Sequence, residues 1–326
     1  MQLIKDIENI WKRNEPEFNK KLSSWVNALT SGEGISKLAK KEFRQWEPLK
    51  TYLSVSKAKS RVKAIYSMRF YGQEVAQLVV KGKEVVLKLI NGQEKKNKEW
   101  FNVALKDGEY EWLGKEAKEF RRSFKKLAST AKGFPKVKSR EHRVETKFIA
   151  EMLKGTGKFG VAGMQIKPVM IAGKFPLQIP VPVSANTGLP MLGNGYIDIL
   201  ARRKANDNKV RLSVWELKRP GEYKHAASQA IIYAYTILKI LRKAKSGGEW
   251  YKMFGFKSEI PHSLIIEAVV AITSDQENKF LKEKENVLLG KTTFVVGKDR
   301  IELYDAYYEE KENSIQLKGN PFLIKP

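Results

Sequence analysis

A chain of 326 residues, 42% of them hydrophobic, exceeds what one ordinary core encloses and suits two globular domains. Its 61 Lys and Arg against 36 Asp and Glu give a formal net charge of +25, an imbalance that costs self-repulsion and favours a polyanionic partner, nucleic acid first. With no cysteine, disulfides, thiolate zinc sites and a Cys nucleophile are excluded. No apolar run approaches the ~20 residues of a membrane span, and Met1-Gln2-Leu3-Ile4-Lys5-Asp6 lacks a signal-peptide pattern, so a cytoplasmic protein is expected, nucleoid-associated in a prokaryote.

In chain order, Ile4, Ile7, Ile10, Trp11, Phe18, Leu22, Trp25, Val26 and Leu29 recur at helical spacing, predicting an amphipathic helix over 2–29 that Pro16 breaks or kinks. After the loop Ser31-Gly32-Glu33-Gly34, a second helix is expected over 35–46. The pattern then turns to strands at 61–70, 74–80 and 84–90, punctuated by Gly72, Lys81-Gly82-Lys83 and Asn91-Gly92. A further hairpin is expected from 100–105 and 110–113 around Lys106-Asp107-Gly108. A helix over 115–129 follows, apolar at Phe120, Phe124 and Leu127. Basic residues, Arg121, Arg122 and Lys125 among them, occupy the rest and are candidate phosphate contacts. This α+β N-terminal domain with an antiparallel meander, 1–132, is the expected DNA-binding or recognition domain, and 133–138 reads as a linker.

The second domain, 139–326, opens with a helix over 140–154 and a strand over 164–171, then a Pro-interrupted stretch to Pro190. Strands at 196–202 and 210–218, a long helix at 224–243, a buried strand at 263–273 and a closing hairpin at 292–296 and 301–308 complete it. That order predicts an α/β fold, a mixed β-sheet flanked by helices.

The chemistry gathers on one hairpin. Asn206-Asp207-Asn208 is a turn signal, and Asp198 and Glu216 are equidistant from Asp207, so they face each other across the strands. Glu216 and Lys218 then share a sheet face with Asp198, while Ile197, Ile199 and Leu217 pack inward. A one-residue slip would dissolve the cluster. Two close carboxylates raise a pKa or share a cation. The only histidines, His142, His225 and His262, are scattered, so the cation is a hard one on oxygen, Mg²⁺, with Mn²⁺ as substitute. Such an ion polarises a phosphate and lowers the pKa of a bound water. Lys218 orients that water or meets developing charge, and the Leu217 carbonyl completes the shell. The same three residues equally describe a solvated hairpin face with a cross-strand ion pair. Glu-x-Lys also occurs at Glu94, Glu116 and Glu145, so the triplet alone decides nothing. What sets this one apart is its apolar strand, the small residues Gly193-Asn194-Gly195 before Asp198, and a following helix with Gln229 and Tyr233 on one face.

Gly195-Tyr196-Ile197-Asp198, Glu216-Leu217-Lys218 and Gln229-x-x-x-Tyr233 together resemble the PD-(D/E)xK nuclease superfamily. The nearest likeness is to members with a Q-x-x-x-Y helix, such as RecB-like nucleases and the motor-subunit nuclease of type I restriction enzymes. It covers about residues 139–308, and Ile197 stands where a proline is common. The resemblance implies a restriction-endonuclease-like fold and a Mg²⁺-dependent DNA endonuclease. Asp198 and Glu216 would hold the metal, and Lys218 would assist catalysis. A leading-helix glutamate, Glu145 by position or Glu141 one turn earlier, would complete the site. Gln229 and Tyr233 would lie near bound DNA, and Arg219, Lys224 and His225 after the strand are further candidate phosphate contacts. Double-stranded DNA is the expected substrate, in restriction or anti-phage defence, and a homodimer would supply two sites for a double-strand cut. The alternatives are a catalytically silent nucleic-acid-binding protein and an RNA or structure-specific nuclease in repair. No Walker-type phosphate loop is present, so an in-chain ATP motor is not expected.

Overall fold

The computed structural model describes residues 2–31, 35, 38, 48–58, 61–89, 101–130, 140–154, 164–312 and 314–322. Among them the chain is mixed α/β, with six α-helices, an N-terminal helix and then a strand meander. Contacts divide it into two compact units: Met1–Val26, Lys147–Val169 and Gln178–Pro326 form the larger, and Asn27–Thr146 with Met170–Leu177 form the meander unit. This differs from the division at 133–138 expected from the sequence, a stretch that lies outside the described residues.

Helix α1 (Gln2–Thr30) runs through Pro16 without interruption. Pro16 is exposed, so water can take the backbone carbonyl that proline leaves without a donor. The expected second helix at 35–46 lies outside the described residues save Ile35 and Leu38, both helical.

In the meander unit, β1 (Leu49–Ala58), β2 (Arg61–Phe70), β3 (Gln73–Lys81), β4 (Glu84–Leu89) and β5 (Gly108–Glu111) pair in sequence, all antiparallel. The β2–β3 turn has both central residues at positive φ, Tyr71 at 48° and Gly72 at 84°, the hand that matches strand twist. Gly72 is also sterically required: a Cβ there would stand 2.2 Å from the His142 carbonyl oxygen. The strand expected at 100–105 does not form over the described residues 101–105, where Asn102 has φ 52°, and β5 pairs with β4 instead. Helix α2 (Lys115–Thr130) buries Phe120 and Phe124, and Phe124 packs on Phe70 and Phe101 with ring centroids 4.8 and 6.0 Å apart.

Helix α3 (Arg140–Lys154) contributes Glu145 and Thr146 to the meander unit and its later residues to the larger one. The sequence reading missed β8 (Phe175–Ser184), which follows β6 (Ile166–Pro168) and β7 (Met170–Ile171) and contains three prolines. Its pairing with β9 (Met191–Ile197) shifts register between Val181 and Val183, so Pro182 falls at the irregularity, where a ladder donor is not needed.

The sheet of the larger unit runs β13–β14–β12–β11–β10–β6. Its members are β10 (Ile199–Lys204), β11 (Val210–Leu217), β12 (Ile265–Thr273), β13 (Thr293–Val296) and β14 (Asp299–Glu310), and β15 (Ile315–Leu317) pairs with β14. β11, β12 and β14 are parallel neighbours, and the other pairs are antiparallel. Helix α4 (Ala226–Lys243) crosses from β11 to β12, and α5 (Gly247–Met253) follows it. Helix α6 (Glu277–Leu288) precedes β13. Every residue of α4 from Ala226 to Leu241 is buried, the signature of a helix covered on all sides. Helix α1 supplies part of that cover: Glu8 accepts from the Tyr235 hydroxyl at 2.5 Å and pairs with Lys239. Phe148 of α3 packs on Trp215 and Tyr308, covering the other sheet face.

Candidate active site

The 206–208 turn forms as a three-residue loop. The Asn208 N–H donates to the Ala205 carbonyl at 2.9 Å, the Ala205 N–H donates to the Lys209 carbonyl at 2.9 Å, and Asn208 takes φ 60°. Asparagine tolerates that left-handed conformation better than most residues. The turn sets the register at Ile199↔Trp215, Leu200↔Val214 and Ala201↔Ser213, and continuing it one step brings Asp198 opposite Glu216. The ladder stops at Asp198, a bend between β9 and β10 and not the interior of one strand over 196–202. There its carboxylate replaces the ladder: Oδ2 accepts the Leu217 N–H at 2.7 Å.

The expected division into a polar face and an inward face is corrected by the structure. β11 is buried at every residue from Leu212 to Leu217, Glu216 at 6% and Leu217 at 2% exposure. A parallel strand in a sheet with helices on both faces has no wet side. Glu216 is therefore a nearly buried carboxylate, and its charge is met by Lys218, whose ammonium donates to Oε1 at 2.9 Å. The same ammonium donates to the Gln229 side-chain oxygen. The Lys218 backbone is held as well: its N–H donates to the Ala271 carbonyl at 2.9 Å and its carbonyl accepts the Tyr308 hydroxyl at 2.6 Å. Sequence reasoning did not find Tyr308, because the β11–β12–β14 alignment that brings it to Lys218 has no local signal.

Tyr233 lies 3% exposed one turn beyond Gln229. Burial first, then the negative charge of Glu216, raise its pKa above the usual phenol value; Asp198 adds to this, while backbone hydrogen bonds from Ala185 and Tyr196 oppose it. The phenol thus stands within electrostatic reach of both carboxylates and stays protonated. Gly195 makes the room: a Cβ there would meet the Val183 carbonyl oxygen at 2.4 Å and the Tyr233 ring at 2.8 Å. The small residue before Asp198 serves this close packing.

The structure thus brings together Asp198, Glu216, Leu217, Lys218, Gln229 and Tyr233. Glu145 belongs to the meander unit, where its carboxylate takes His142 Nδ1 at 3.3 Å and faces Arg69 at 3.9 Å. The Glu141 side chain lies outside the described residues. Arg219 is exposed and pairs with Glu222, and Lys224 and His225 are exposed in the loop before α4. Arg122 and Lys125 lie on the exposed face of α2. Arg121 is not on that face. It is 7% exposed, donates to the Trp112 carbonyl at 2.8 Å and stacks on the Trp112 ring, and burial lowers its pKa to about 10. Its guanidinium serves the packing of the meander unit.

Among the described residues no helix is long and apolar enough to cross a membrane, and no group of three or more His, Cys, Asp or Glu is placed to hold a metal. No protein-family profile, curated protein or solved structure matches this chain.

Proposed function

We propose that the chain is a Mg²⁺-dependent DNA endonuclease with a restriction-endonuclease-like larger unit, hydrolysing phosphodiester bonds at the β10–β11 hairpin. One observation carries this reading: the hairpin register brings Asp198 beside the Glu216-Leu217 step, with the Lys218 ammonium held between the Glu216 carboxylate and the Gln229 side-chain oxygen. The donor set suits the ion. Mg²⁺ takes one or two protein carboxylates and leaves the rest of its octahedron to water and phosphate, and two carboxylates are what the hairpin brings together. When bound, the ion supplies a Lewis acid toward the phosphate and a more acidic water.

The chain's own residues do the positioning. The Leu217 N–H fixes the Asp198 carboxylate, Gln229 and Glu216 aim the Lys218 ammonium, and Tyr308 holds the Lys218 backbone still. The ammonium then donates a hydrogen bond to the attacking water or to the phosphate oxygen that gains charge, the preorganised electrostatics that contribute most in a water-poor site. The net charge of +25 draws the polyanion in. Restriction or anti-phage defence is the role in which we place this activity.

The test is cleavage of plasmid and linear DNA with Mg²⁺ by wild type, Glu216→Gln, Asp198→Ala and Lys218→Ala. Each variant is expected to lose activity by about 100-fold or more, while DNA binding in chelator is retained. Wild-type rates from the Asp198→Ala/Lys218→Ala double variant would sink the assignment.

A further inference from the structure

The strand that leads into Asp198 carries an apolar surface the fold does not use. Towards its end the residues alternate, Gly195 and Ile197 buried, Asn194 and Tyr196 exposed. Along β9 Met191 is 49%, Leu192 56% and Tyr196 57% exposed, and the adjoining turn adds Leu189 at 61%. The register with β8 shifts between these residues, β9 carrying one extra residue between Leu192 and Gly195. Met191, opposite Ser184, therefore comes to the same face as Tyr196, opposite Pro180, and that face ends two residues before the Asp198 carboxylate. Scattered exposed apolar side chains are ordinary; a contiguous group marks a contact surface.

The border of this face carries a basic residue. A Cβ on Gly188 would stand 2.5 Å from His225 Nδ1, so the turn that carries Leu189 lies against His225 and its chain neighbour Lys224, both exposed, while Arg219 of the same loop is paired with Glu222. An exposed aromatic and aliphatic face with a basic border is the composition that binds unpaired nucleic acid: bases stack on the rings and cations follow the phosphates. A duplex hides its base faces inside the stack and offers such a face nothing.

We propose that β9 is a base-stacking platform that delivers single-stranded DNA to the hairpin site, with Tyr196 stacking on the base next to the scissile phosphate. The proposal rests on the nuclease reading for what happens to that strand, but not for its binding. It departs from the double-stranded substrate expected from the sequence.

The test measures fluorescence anisotropy of labelled 20-mer DNA, as single strand and as duplex, with full-length protein in chelator, so that no cleavage is needed. Wild type is expected to bind the single strand more tightly. Tyr196→Ala should weaken single-strand binding about tenfold, one stacked base's worth, and leave duplex binding unchanged, while Tyr196→Phe keeps wild-type affinity. Ultraviolet cross-linking of wild type to a 5-iodouracil-substituted strand should map to Tyr196, which keeps the test decisive if Tyr196→Ala folds poorly. Equal loss on strand and duplex, no loss on either, a cross-link elsewhere, or a dimer that Tyr196→Ala converts to monomer would overturn the platform. Loss of cleavage with this binding pattern intact would count against the nuclease reading alone.

Discussion

Gly195 and Tyr233 show how one position is set by packing and serves chemistry. The Tyr233 ring packs against residue 195 where a Cβ would stand, and the atom that Cβ would strike first is a backbone carbonyl that cannot rotate away. Gly195→Ala should therefore cost about 1–3 kcal/mol through overpacking, read as a lower urea midpoint, and should also reduce cleavage by displacing the Tyr233 ring. Gly248 of α5 has open space around its would-be Cβ. Gly248→Ala should be neutral or stabilising by up to about 1 kcal/mol. Equal losses at both glycines would refute the packing argument. At the same scale Arg121 is a counterexample to reading charge as function: on a basic helix it looks like a phosphate contact, yet its guanidinium is spent on Trp112.

At the scale of elements, the end of the hairpin far from the site is fastened by buried charge. Glu267 of β12 is fully buried and accepts from Arg203 of β10 through Nε, at 3.1 and 3.0 Å to its two oxygens, and through Nη2 at 2.5 Å. Arg203 also lies over the Phe322 ring at 3.9 Å. The bridge spans β11, whose Arg211 pairs with Glu302 of β14 at 3.2 Å. Burial pushes the Glu267 carboxyl up, and Arg203 pulls it back in part. Breaking one side leaves the other charge stranded, so Glu267→Ala should cost about 3–5 kcal/mol in chemical denaturation. The double change Arg203→Met/Glu267→Leu should recover most of it, because an apolar pair carries no desolvation penalty. A double variant as unstable as the single one would mean that the pair earns its place beyond charge compensation.

For the whole molecule, α1 joins the two ends of the chain's order. Its residues Gln2–Val26 belong with the larger unit, and Glu8 ties it to α4. Burial acts to raise the Glu8 pKa, but hydrogen bonds from Lys239 and Tyr235 and the nearby charges outweigh it and leave the carboxyl below 4.5. A carboxyl depressed in the folded state contributes stability that is present above 4.5 and is lost as pH falls through the folded pKa. Glu8→Gln should thus lower stability at pH 7 by about 1–2 kcal/mol and narrow its gap to wild type below pH 4.5. A gap constant with pH would show that the carboxylate charge is not what matters there.

Much of the larger unit was legible in the sequence because local rules and tertiary structure agree there. Asn206-Asp207-Asn208 demanded a turn, the turn dictated the register, and the register set Asp198 across from Glu216. The apolar runs at 210–218 and 263–273 and the helical period of 224–243 likewise gave β11, β12 and α4, since burial on both faces leaves little but apolar residues. Other features depend on partners distant in the chain. Prolines masked β8, where Pro182 falls at the register shift opposite the extra residue of β9. The apolar residues of 101–105 promised a strand, but the left-handed Asn102 ends regular pairing. Nothing near residue 8 announces Tyr235, nothing near Lys218 announces Tyr308, and no local pattern distinguishes the buried Arg121 from its exposed neighbours. The sequence by itself determined the hairpin, its register and the identity of its carboxylates, because turn chemistry and period are local. Only the tertiary structure decided that Glu216 lies beneath a helix and not in water, that Gln229 aims Lys218, and that Leu192 and Tyr196 stay outside. Burial is a property of what the rest of the chain lays on top.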